Sequence, residues 1–332
     1  MSSRKTKTKT KTKKTLPNWD RTNDLTPLKP SISKGKYINH EFNNIKVASV
    51  EYTKAVVGTT YIDFKNGARV VEMEYGGCVN KVSTSVACDN NILYGICLSS
   101  GSTLGLEATT GAISEKMKQL DYYDFVPISG CIHRGNIKQN MSMFYPDKEL
   151  GRYAVKNIIS NKVLYGQIGG GIGAMYGQGC SYGVFKNKKV LVVLVNNAVG
   201  SIHKDGKKFS GKKTYKSTHK NKKSKFNKKT IQKKNKKVTN KSGTFLCVII
   251  TDLDLNVQQL ELMSKQVNNS IGEYIKPFNT IYDGDMIYTC STFKKKNKFN
   301  KAELIDFYAY CSKLVGDAIF RSTIEKKKFL HL

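Results

Sequence analysis

Two apolar runs, at 190–195 and 245–250, constrain the fold of this chain more than any other feature. Near-continuous runs of this kind are typical of central strands that are buried on both faces. Between them lies a segment, 203–242, that carries seventeen lysines, one aspartate and few apolar residues. A segment of this composition buries too little surface to offset the entropy of ordering. We therefore predict one folded unit that is interrupted by a disordered, Lys-rich insertion and resumes at Thr244.

The net charge of +31 is concentrated in two segments. Residues 1–16 contribute +7 and residues 203–242 contribute +16, which leaves +8 for the rest of the chain. We expect residues 1–20 to form a disordered basic tail, and 45–202 together with 243–325 to form a single domain. For both basic segments, contact with an anionic partner and simple solubility remain open alternatives.

Short apolar strands alternate with helical patterns along the chain. The dipeptide Asn66-Gly67 predicts a hairpin that pairs a strand at 59–64 with one at 68–75. Asp254 or Asn256 is a candidate helix N-cap, and Asn300 is another. Mixed content of this kind indicates stacked layers of sheet and helix. Apolar spacing further predicts strands at 92–98 and 286–291, and helices at 102–120, 147–159, 257–275 and 300–321.

Several function classes find no support in the sequence. No apolar run approaches the roughly 20 residues that span a bilayer, and no apolar segment follows the basic N-terminus as it would in a secretory signal. The eight cysteines include no C-x-x-C pair, and the five histidines form no metal-ligand motif. We expect an intracellular, most simply cytoplasmic, protein without metal, cofactor or membrane contact.

Three short motifs are ambiguous. Cys131 and His133 could form a thiol nucleophile with its base, but we favour a core role for both. The glycine run at 166–174 lacks the flanking strand and acid of a dinucleotide loop; it is either a strained turn near a substrate or a packing requirement. Asp283 and Asp285 flank a glycine, which is typical of a turn and equally compatible with a catalytic pair.

The junction Gly243-Thr244 carries the most specific chemistry. If this bond were cut, Thr244 would gain a free α-amine at the start of a buried strand. An α-amine has a pKa of about 8, so at neutral pH it can accept the proton of the threonine hydroxyl and activate this weak nucleophile. Gly243 has no side chain to block the attack.

Six motifs occur in a fixed order, which makes the pattern more specific than any one of them. They are SGSTLGL at 100–106, VPI at 126–128, GQIGGGIGA at 166–174, NNAVG at 196–200, GTFLCVIITD at 243–252 and YDGDMIYTCST at 282–292. Over roughly 45–320 this order resembles the DmpA-type aminopeptidases, also called β-peptidyl aminopeptidases. These are self-processing N-terminal-nucleophile hydrolases.

The resemblance implies a four-layer αββα sandwich of the DmpA and ornithine acetyltransferase type. It also implies self-cleavage between residues 243 and 244, giving chains 1–243 and 244–332 that stay associated. Thr244 would be the nucleophile, and Asn197 would help to hold the oxyanion. Asp283 and Asp285 would orient the amine and relay protons. The substrate pocket would be lined by Gly169, Gly170, Gly171, Gly173 and Ser102.

The function that follows is a self-cleaving aminopeptidase or amidase that acts on small peptides or amides and forms a homo-oligomer. Two alternatives stay open. One is an acyl transferase similar to ornithine acetyltransferase. The other is an inactive scaffold that binds nucleic acid non-specifically through its basic segments.

Overall fold

Strands dominate the computed structural model, which describes residues 18–23, 25, 27–77, 91–121, 126–134, 142–210 and 243–323. The strands are β1 (Asn18–Thr22), β2 (Ser31–Ile32), β3 (Lys36–Asn39), β4 (Ile45–Tyr52), β5 (Val57–Gly76), β6 (Ile92–Ser99), β7 (Ile128–Ile132), β8 (Ser142–Met143), β9 (Ile159–Ser160), β10 (Lys162–Tyr165), β11 (Gly177–Phe185), β12 (Lys188–Asn196), β13 (Ser201–Lys204), β14 (Lys207–Ser210), β15 (Phe245–Leu253), β16 (Ile275–Lys276) and β17 (Gly284–Lys295). The α-helices are α1 (Glu107–Leu120), α2 (Lys148–Lys156), α3 (Val257–Tyr274) and α4 (Lys301–Arg321). Short 3-10 turns cover Ser102–Leu106 and Gly169–Gly171.

The long strand β5 joins two sheets. Its first half pairs with β4 and β6, and its second half pairs with β17. The predicted hairpin at Asn66-Gly67 is wrong, because the two segments are consecutive parts of one strand. Gly67 has a φ of +73°, and the register shifts between Asp63 and Ala68, so the dipeptide bends the strand without reversing it.

The first sheet has the strand order β11-β12-β15-β17-β5. Its central pair, β15 and β17, is parallel, whereas β12 pairs antiparallel with β15. In the second sheet, β7 pairs with β6, β6 with the first half of β5, and β5 with β4. β2 and β9 add to β4, so the described fold begins before the predicted boundary at residue 45.

Alternating side chains of the strands separate the layers. Along β12, Val190, Val192 and Leu194 pack with α3 and α4, whereas the side chains between them point to the other face. That other face meets apolar residues of β4, β5 and β6 in a core between the two sheets. α1 and α2 cover the outer face of the second sheet. The order helix, sheet, sheet, helix confirms the predicted αββα sandwich.

Helix starts follow the sequence signals closely. Asn256 and Gln259 form a capping box at α3, and Asn300 and Glu303 form another at α4. Of the two candidate caps for α3, Asp254 instead pairs with Arg69 at 3.0 Å. The predicted helices at 102–120 and 147–159 are shorter than expected, since α1 follows a 3-10 turn and α2 ends at Lys156.

Part of the predicted insertion is folded. β13 and β14 form a hairpin across Asp205-Gly206, whose positive φ values of 49° and 72° are typical of a two-residue turn. β13 also pairs with β16. The prediction of disorder from residue 203 is therefore wrong for 203–210. Residues 211–242 lie outside the described residues.

Two further predictions concern the tail and membrane contact. Of the predicted tail at 1–20, residues 1–17 lie outside the described residues, and the next residues open β1, whose backbone pairs with β8. Among the helices described, none has the length and apolar character to cross a bilayer.

Candidate active site

Three strand ends meet at one edge of the first sheet. Thr244 directly precedes β15 and Asp283 directly precedes β17; because these strands run parallel, both starts lie at the same edge. β12 runs antiparallel to β15, so Asn197, which follows β12, reaches this edge too. Asp285 is the second residue of β17. The strand register therefore brings together the four residues predicted to act in catalysis.

Backbone hydrogen bonds hold the Gly243–Thr244 peptide on both sides. Gly243 N donates to Tyr282 O at 2.8 Å, and Gly284 N donates to Gly243 O at 3.1 Å. On the other side, Thr244 N donates to Asn197 O at 3.2 Å, and Asn197 N donates to Thr244 O at 2.9 Å. This peptide therefore has little freedom to move relative to the surrounding side chains.

The Thr244 side chain is buried beside the preceding carbonyl. Only 3% of the residue is exposed, and its Oγ1 donates to Gly243 O at 2.5 Å. The hydroxyl thus lies next to the carbonyl group that it would attack in self-cleavage.

Gly243 occupies a position with no room for a side chain. A Cβ atom there would lie 2.1 Å from Asp283 Oδ1 and 2.6 Å from Val199 N. Both distances are far below van der Waals contact. A carboxylate, a backbone amide and, at 2.6 Å, the Val199 Cγ2 methyl group therefore border the α-carbon of residue 243.

Asp283 is fully buried and accepts hydrogen bonds at both carboxylate oxygens. Its Oδ1 accepts from Val199 N at 3.0 Å. Its Oδ2 accepts from Thr280 Oγ1 at 2.5 Å and from Thr280 N at 3.3 Å. Thr280 was not among the residues predicted from the sequence, although a threonine three residues before an acidic residue has the spacing of a capping box, in which the acid reaches back to the threonine amide. The Val199 contact uses a backbone amide, which leaves no signal in residue type.

Asp285 is fully buried too, and its Oδ1 accepts from Phe245 N at 2.7 Å. Burial and the neighbouring charge of Asp283 raise the pKa of Asp285 well above its usual range, against the opposing effect of backbone hydrogen bonds from Phe245 and Asn279. This direction favours a protonated Asp285 beside Asp283. A carboxyl group that retains its proton can donate it during a reaction.

The side-chain amide of Asn197 is fixed by two backbone groups. Its Oδ1 accepts from Met175 N at 2.8 Å, and its Nδ2 donates to Arg134 O at 3.0 Å. These contacts determine the orientation of the amide and occupy one of its two N–H groups. Asn196 faces the other side of the strand, where its Nδ2 donates to Ser322 Oγ at 3.3 Å.

The glycine run packs against backbone. Cβ atoms on Gly170 and Gly171 would lie 2.3 Å from Leu98 O and 2.2 Å from Gln178 N. These contacts favour the packing interpretation of the two that the sequence left open. The same run leads to Met175, through which it contacts Asn197. A role of Gly169, Gly170, Gly171 and Gly173 in lining a substrate pocket stays a prediction.

Ser102 is linked to Asn197 by hydrogen bonds through the segment of His133 and Arg134. Ser102 is half-buried, and its N donates to His133 O at 3.2 Å. The next residue, Arg134, supplies the carbonyl that contacts Asn197. Ser102 is thus linked to the candidate site through this segment, and its place in the pocket stays a prediction.

Cys131 and His133 lie in the core. Cys131 packs between the two sheets. His133 Nε2 donates to Gly170 O at 2.6 Å, and burial lowers the pKa of His133 to about 4, which keeps the ring neutral. Both residues have the core role that we favoured. Within the described ranges, no three His, Cys, Asp or Glu residues form a group that could hold a metal ion.

Two packed sheets between helix layers place the chain in the class of Ntn-hydrolase-like folds, which solved structures with this architecture represent. L-aminopeptidase D-Ala-esterase/amidase from Ochrobactrum anthropi superposes with a TM-score of 0.57 at 14% identity, covering 87% of each chain. A β-aminopeptidase from Burkholderia sp. superposes with a TM-score of 0.61 at 13% identity, covering 91% of this chain and 90% of that one.

The chain belongs to Peptidase family S58, whose sequence model matches residues 53–329. Curated relatives include two 6-aminohexanoate-oligomer endohydrolases. The one from Agromyces sp. (strain KY5R) is 26% identical over 286 residues, covering 81% of this chain and 79% of the relative. The one from Kocuria sp. (strain KY2) is 26% identical over 285 residues, covering 81% and 78%. Because the chain belongs to this peptidase family, it is classed as a hydrolase of peptide or amide bonds.

Proposed function

We propose that this chain cleaves itself between Gly243 and Thr244 and then acts as an amidohydrolase with Thr244 as its nucleophile. The observation that carries the proposal is the buried Thr244 hydroxyl, 2.5 Å from Gly243 O, on a peptide held from both sides. Reacting groups fixed in contact need little further ordering, which can lower a barrier by several kcal/mol.

In the self-cleavage step, Thr244 Oγ1 bonds to the Gly243 carbonyl carbon and the C–N bond to Thr244 breaks. The hydroxyl proton passes to the leaving nitrogen, with Asp285 as the relay. Gly284 N, which already donates to Gly243 O at 3.1 Å, stabilises the developing oxyanion. Water then hydrolyses the ester, which leaves a carboxylate on Gly243 and restores the hydroxyl of Thr244.

In the second reaction, the new α-amine of Thr244 takes the hydroxyl proton while Oγ1 attacks a substrate amide. The second N–H of the Asn197 amide donates to the substrate oxyanion. Asp283, held by Val199 and Thr280, orients the amine. The raised pKa of Asp285 supports its role as the group that returns a proton to the leaving nitrogen. Water then hydrolyses the ester on Thr244, which releases the acid and restores the hydroxyl, the free amine and the proton on Asp285.

The space around residue 243 supports a substrate class. Because the same hydroxyl attacks in both reactions, a substrate acyl unit must occupy the position that residue 243 vacates. A Cβ in the L configuration there would collide with Asp283 Oδ1 and Val199 N. Acyl units with an unsubstituted α-methylene avoid this collision. The 6-aminohexanoate named for the curated relatives is such a unit.

The test begins with a denaturing gel and N-terminal sequencing of the purified protein. We expect two bands, the smaller beginning at Thr244. Glycyl, β-alanyl and 6-aminohexanoyl anilides should then be hydrolysed at least tenfold faster than the L-alanyl anilide. An N-acetylated 6-aminohexanoate oligomer distinguishes an endohydrolase, which cleaves it, from an aminopeptidase, which does not. A single band of uncleaved protein, or a smaller band with another first residue, would contradict the proposal.

A further inference from the structure

The hairpin of β13 and β14 has an unfavourable charge arrangement. Its register places Lys204 opposite Lys207, and His203 opposite Lys208. Directly opposed residues of an antiparallel pair have Cβ atoms about 5 Å apart, and like charges in this position, as for Lys204 and Lys207, are destabilising. The hairpin thus holds positive charges at positions where their mutual repulsion weakens the pairing of its two strands.

Among the residues that the structure describes, none neutralises this charge. Lys204, Lys207 and Lys208 are exposed, and none of them forms an ion pair with any residue that the structure describes. Asp205, in the turn, is the only acidic residue of Ser201–Ser210. By contrast, Lys295, at the C-terminal end of β17, forms an ion pair with Asp252 at 3.4 Å.

The hairpin is nevertheless held firmly. Ile202 is fully buried and pairs with Ile275 of β16. Phe209 packs edge-on against Phe320 of α4, with ring centroids 5.5 Å apart, and Lys204 Nζ lies 5.5 Å from the same ring. The lysines are therefore presented on a fixed platform, which reduces the entropy lost when they bind a ligand.

We propose that this hairpin is a docking surface for the phosphate backbone of a single-stranded nucleic acid. Phosphates beside Lys204, Lys207 and Lys208 would relieve the repulsion between the opposed Lys204 and Lys207 and release counterions. Neighbouring positions along a strand point to opposite faces of the hairpin. Lys204 and Lys207 therefore lie on one face and Lys208 lies on the other. A linear polyanion that wraps around the tip of the hairpin reaches all three lysines. A planar anionic membrane reaches only one face.

The geometry adds a place for a base. Phe209 remains 51% exposed although its edge contacts Phe320. An exposed aromatic ring among lysines is the arrangement on which unpaired bases stack, irrespective of sequence. The surface is therefore expected to bind single strands without strong sequence preference. This inference does not depend on the proposed catalytic activity.

The test measures anisotropy of a fluorescent 20-nucleotide oligo-dT with the full chain across a salt series. The triple variant Lys204→Gln, Lys207→Gln, Lys208→Gln should bind at least tenfold more weakly and flatten the log–log salt slope by about 2, at about 0.7 per lost phosphate contact. The matched control is the triple variant Lys294→Gln, Lys296→Gln, Lys298→Gln. It removes the same charge from exposed positions at and just after the C-terminal end of β17. It should change the slope by less than half as much.

A second pair of chains separates the hairpin from the segment that follows it. When residues 212–238 are deleted, the same triple substitution should still flatten the slope. Thermal melts verify that every variant folds. The proposal is overturned if the triple variant leaves the slope unchanged, if both triple variants reduce it equally, or if the chain binds phosphatidylserine vesicles but not the oligonucleotide.

Discussion

The glycine run at 166–174 and the junction at Gly243 both belong to the six ordered motifs of the sequence, but they require glycine for different reasons. At Gly170 a side chain would collide with a backbone carbonyl of β6, Leu98 O. At Gly243 it would collide with the carboxylate of Asp283 and the amide of Val199. The first glycine permits layers to pack, whereas the second leaves space beside reactive groups. What separates the two glycines is a single neighbour, the carboxylate side chain of Asp283 beside Gly243, where Gly170 meets the backbone of β6.

The strongest test of this comparison removes the nucleophile itself. Thr244→Ala should give a single uncleaved chain without measurable amidase activity, because no hydroxyl remains to attack Gly243. Thr244→Ser, which keeps a hydroxyl, should still cleave. The readouts are a denaturing gel and hydrolysis of a 6-aminohexanoyl anilide. Full cleavage of the alanine variant would place the nucleophile elsewhere.

The paired glycine variants test the comparison directly. Gly243→Ala should slow self-cleavage by about a hundredfold or more, because displacing Asp283 by even 1 Å disturbs the reacting geometry. Gly170→Ala should instead lower the free energy of unfolding by about 1–3 kcal/mol through overpacking, with near-normal cleavage by the folded fraction. Cleavage time courses and urea melts of both variants are needed. The prediction is contradicted if Gly170→Ala slows cleavage while Gly243→Ala only lowers stability.

Asn197 and Asn196 offer a similar contrast one residue apart. Asn197→Ala should lower kcat by about a hundredfold through loss of an oxyanion donor, with small change in KM. Asn196→Ala, which faces α4, should lower stability and leave kcat within a few-fold. Steady-state kinetics on processed protein measure both. Equal kcat values for Asn197→Ala and the parent would exclude the proposed donor.

Asp285 should make stability depend on pH. Its pKa is raised in the folded state, so between its unfolded value near 3.8 and the raised value the folded chain holds more protons than the unfolded one. The free energy of unfolding therefore falls as pH rises through this window, by at most about 1.4 kcal/mol per pH unit. Asp285→Asn cannot ionise, so in the uncleaved Thr244→Ala background its stability relative to Thr244→Ala alone should increase with pH. Urea melts from pH 4 to 8 give this difference, and a constant difference would contradict it.

The smallest effect is expected from a deletion within 211–242, which lies outside the described residues. Because β14 extends to Ser210 and packs through Phe209, a deletion that spares the fold must begin after this strand. Deleting 212–238 should leave cleavage intact and change stability by less than about 1 kcal/mol, since loop closure depends weakly on length. Loss of cleavage in a chain that still folds would assign the segment to processing.

Sequence reasoning worked where one residue type has one dominant role. Asn300 with Glu303 marked the start of α4, and the apolar runs marked β12 and β15. It failed where one signal serves two structures: Asn66-Gly67 suits a hairpin turn, and it also suits the bend that carries β5 from one sheet to the other. The lysines around Asp205-Gly206 concealed a genuine hairpin signal.

The candidate site was predictable only in part, for a related reason. Thr244, Asn197, Asp283 and Asp285 each stand in a motif, so the resemblance could propose them as site residues, and the structure brings them to one edge of the first sheet. The groups that fix them include Val199 N, Met175 N and Arg134 O. Any residue type provides such backbone groups, and only the tertiary fold determines which ones approach the site.

The strand order of the first sheet has a consequence for assembly. β15 and β17 lie between β12 on one side and β5 on the other. A cut at residue 243 would therefore leave a C-terminal fragment whose two strands are enclosed by strands of the N-terminal fragment. Once separated, the fragments would have to find each other by diffusion, so recovery of the native state would become second order and dependent on protein concentration. Before the cut, the same strands assemble within one polymer at a rate that dilution does not change.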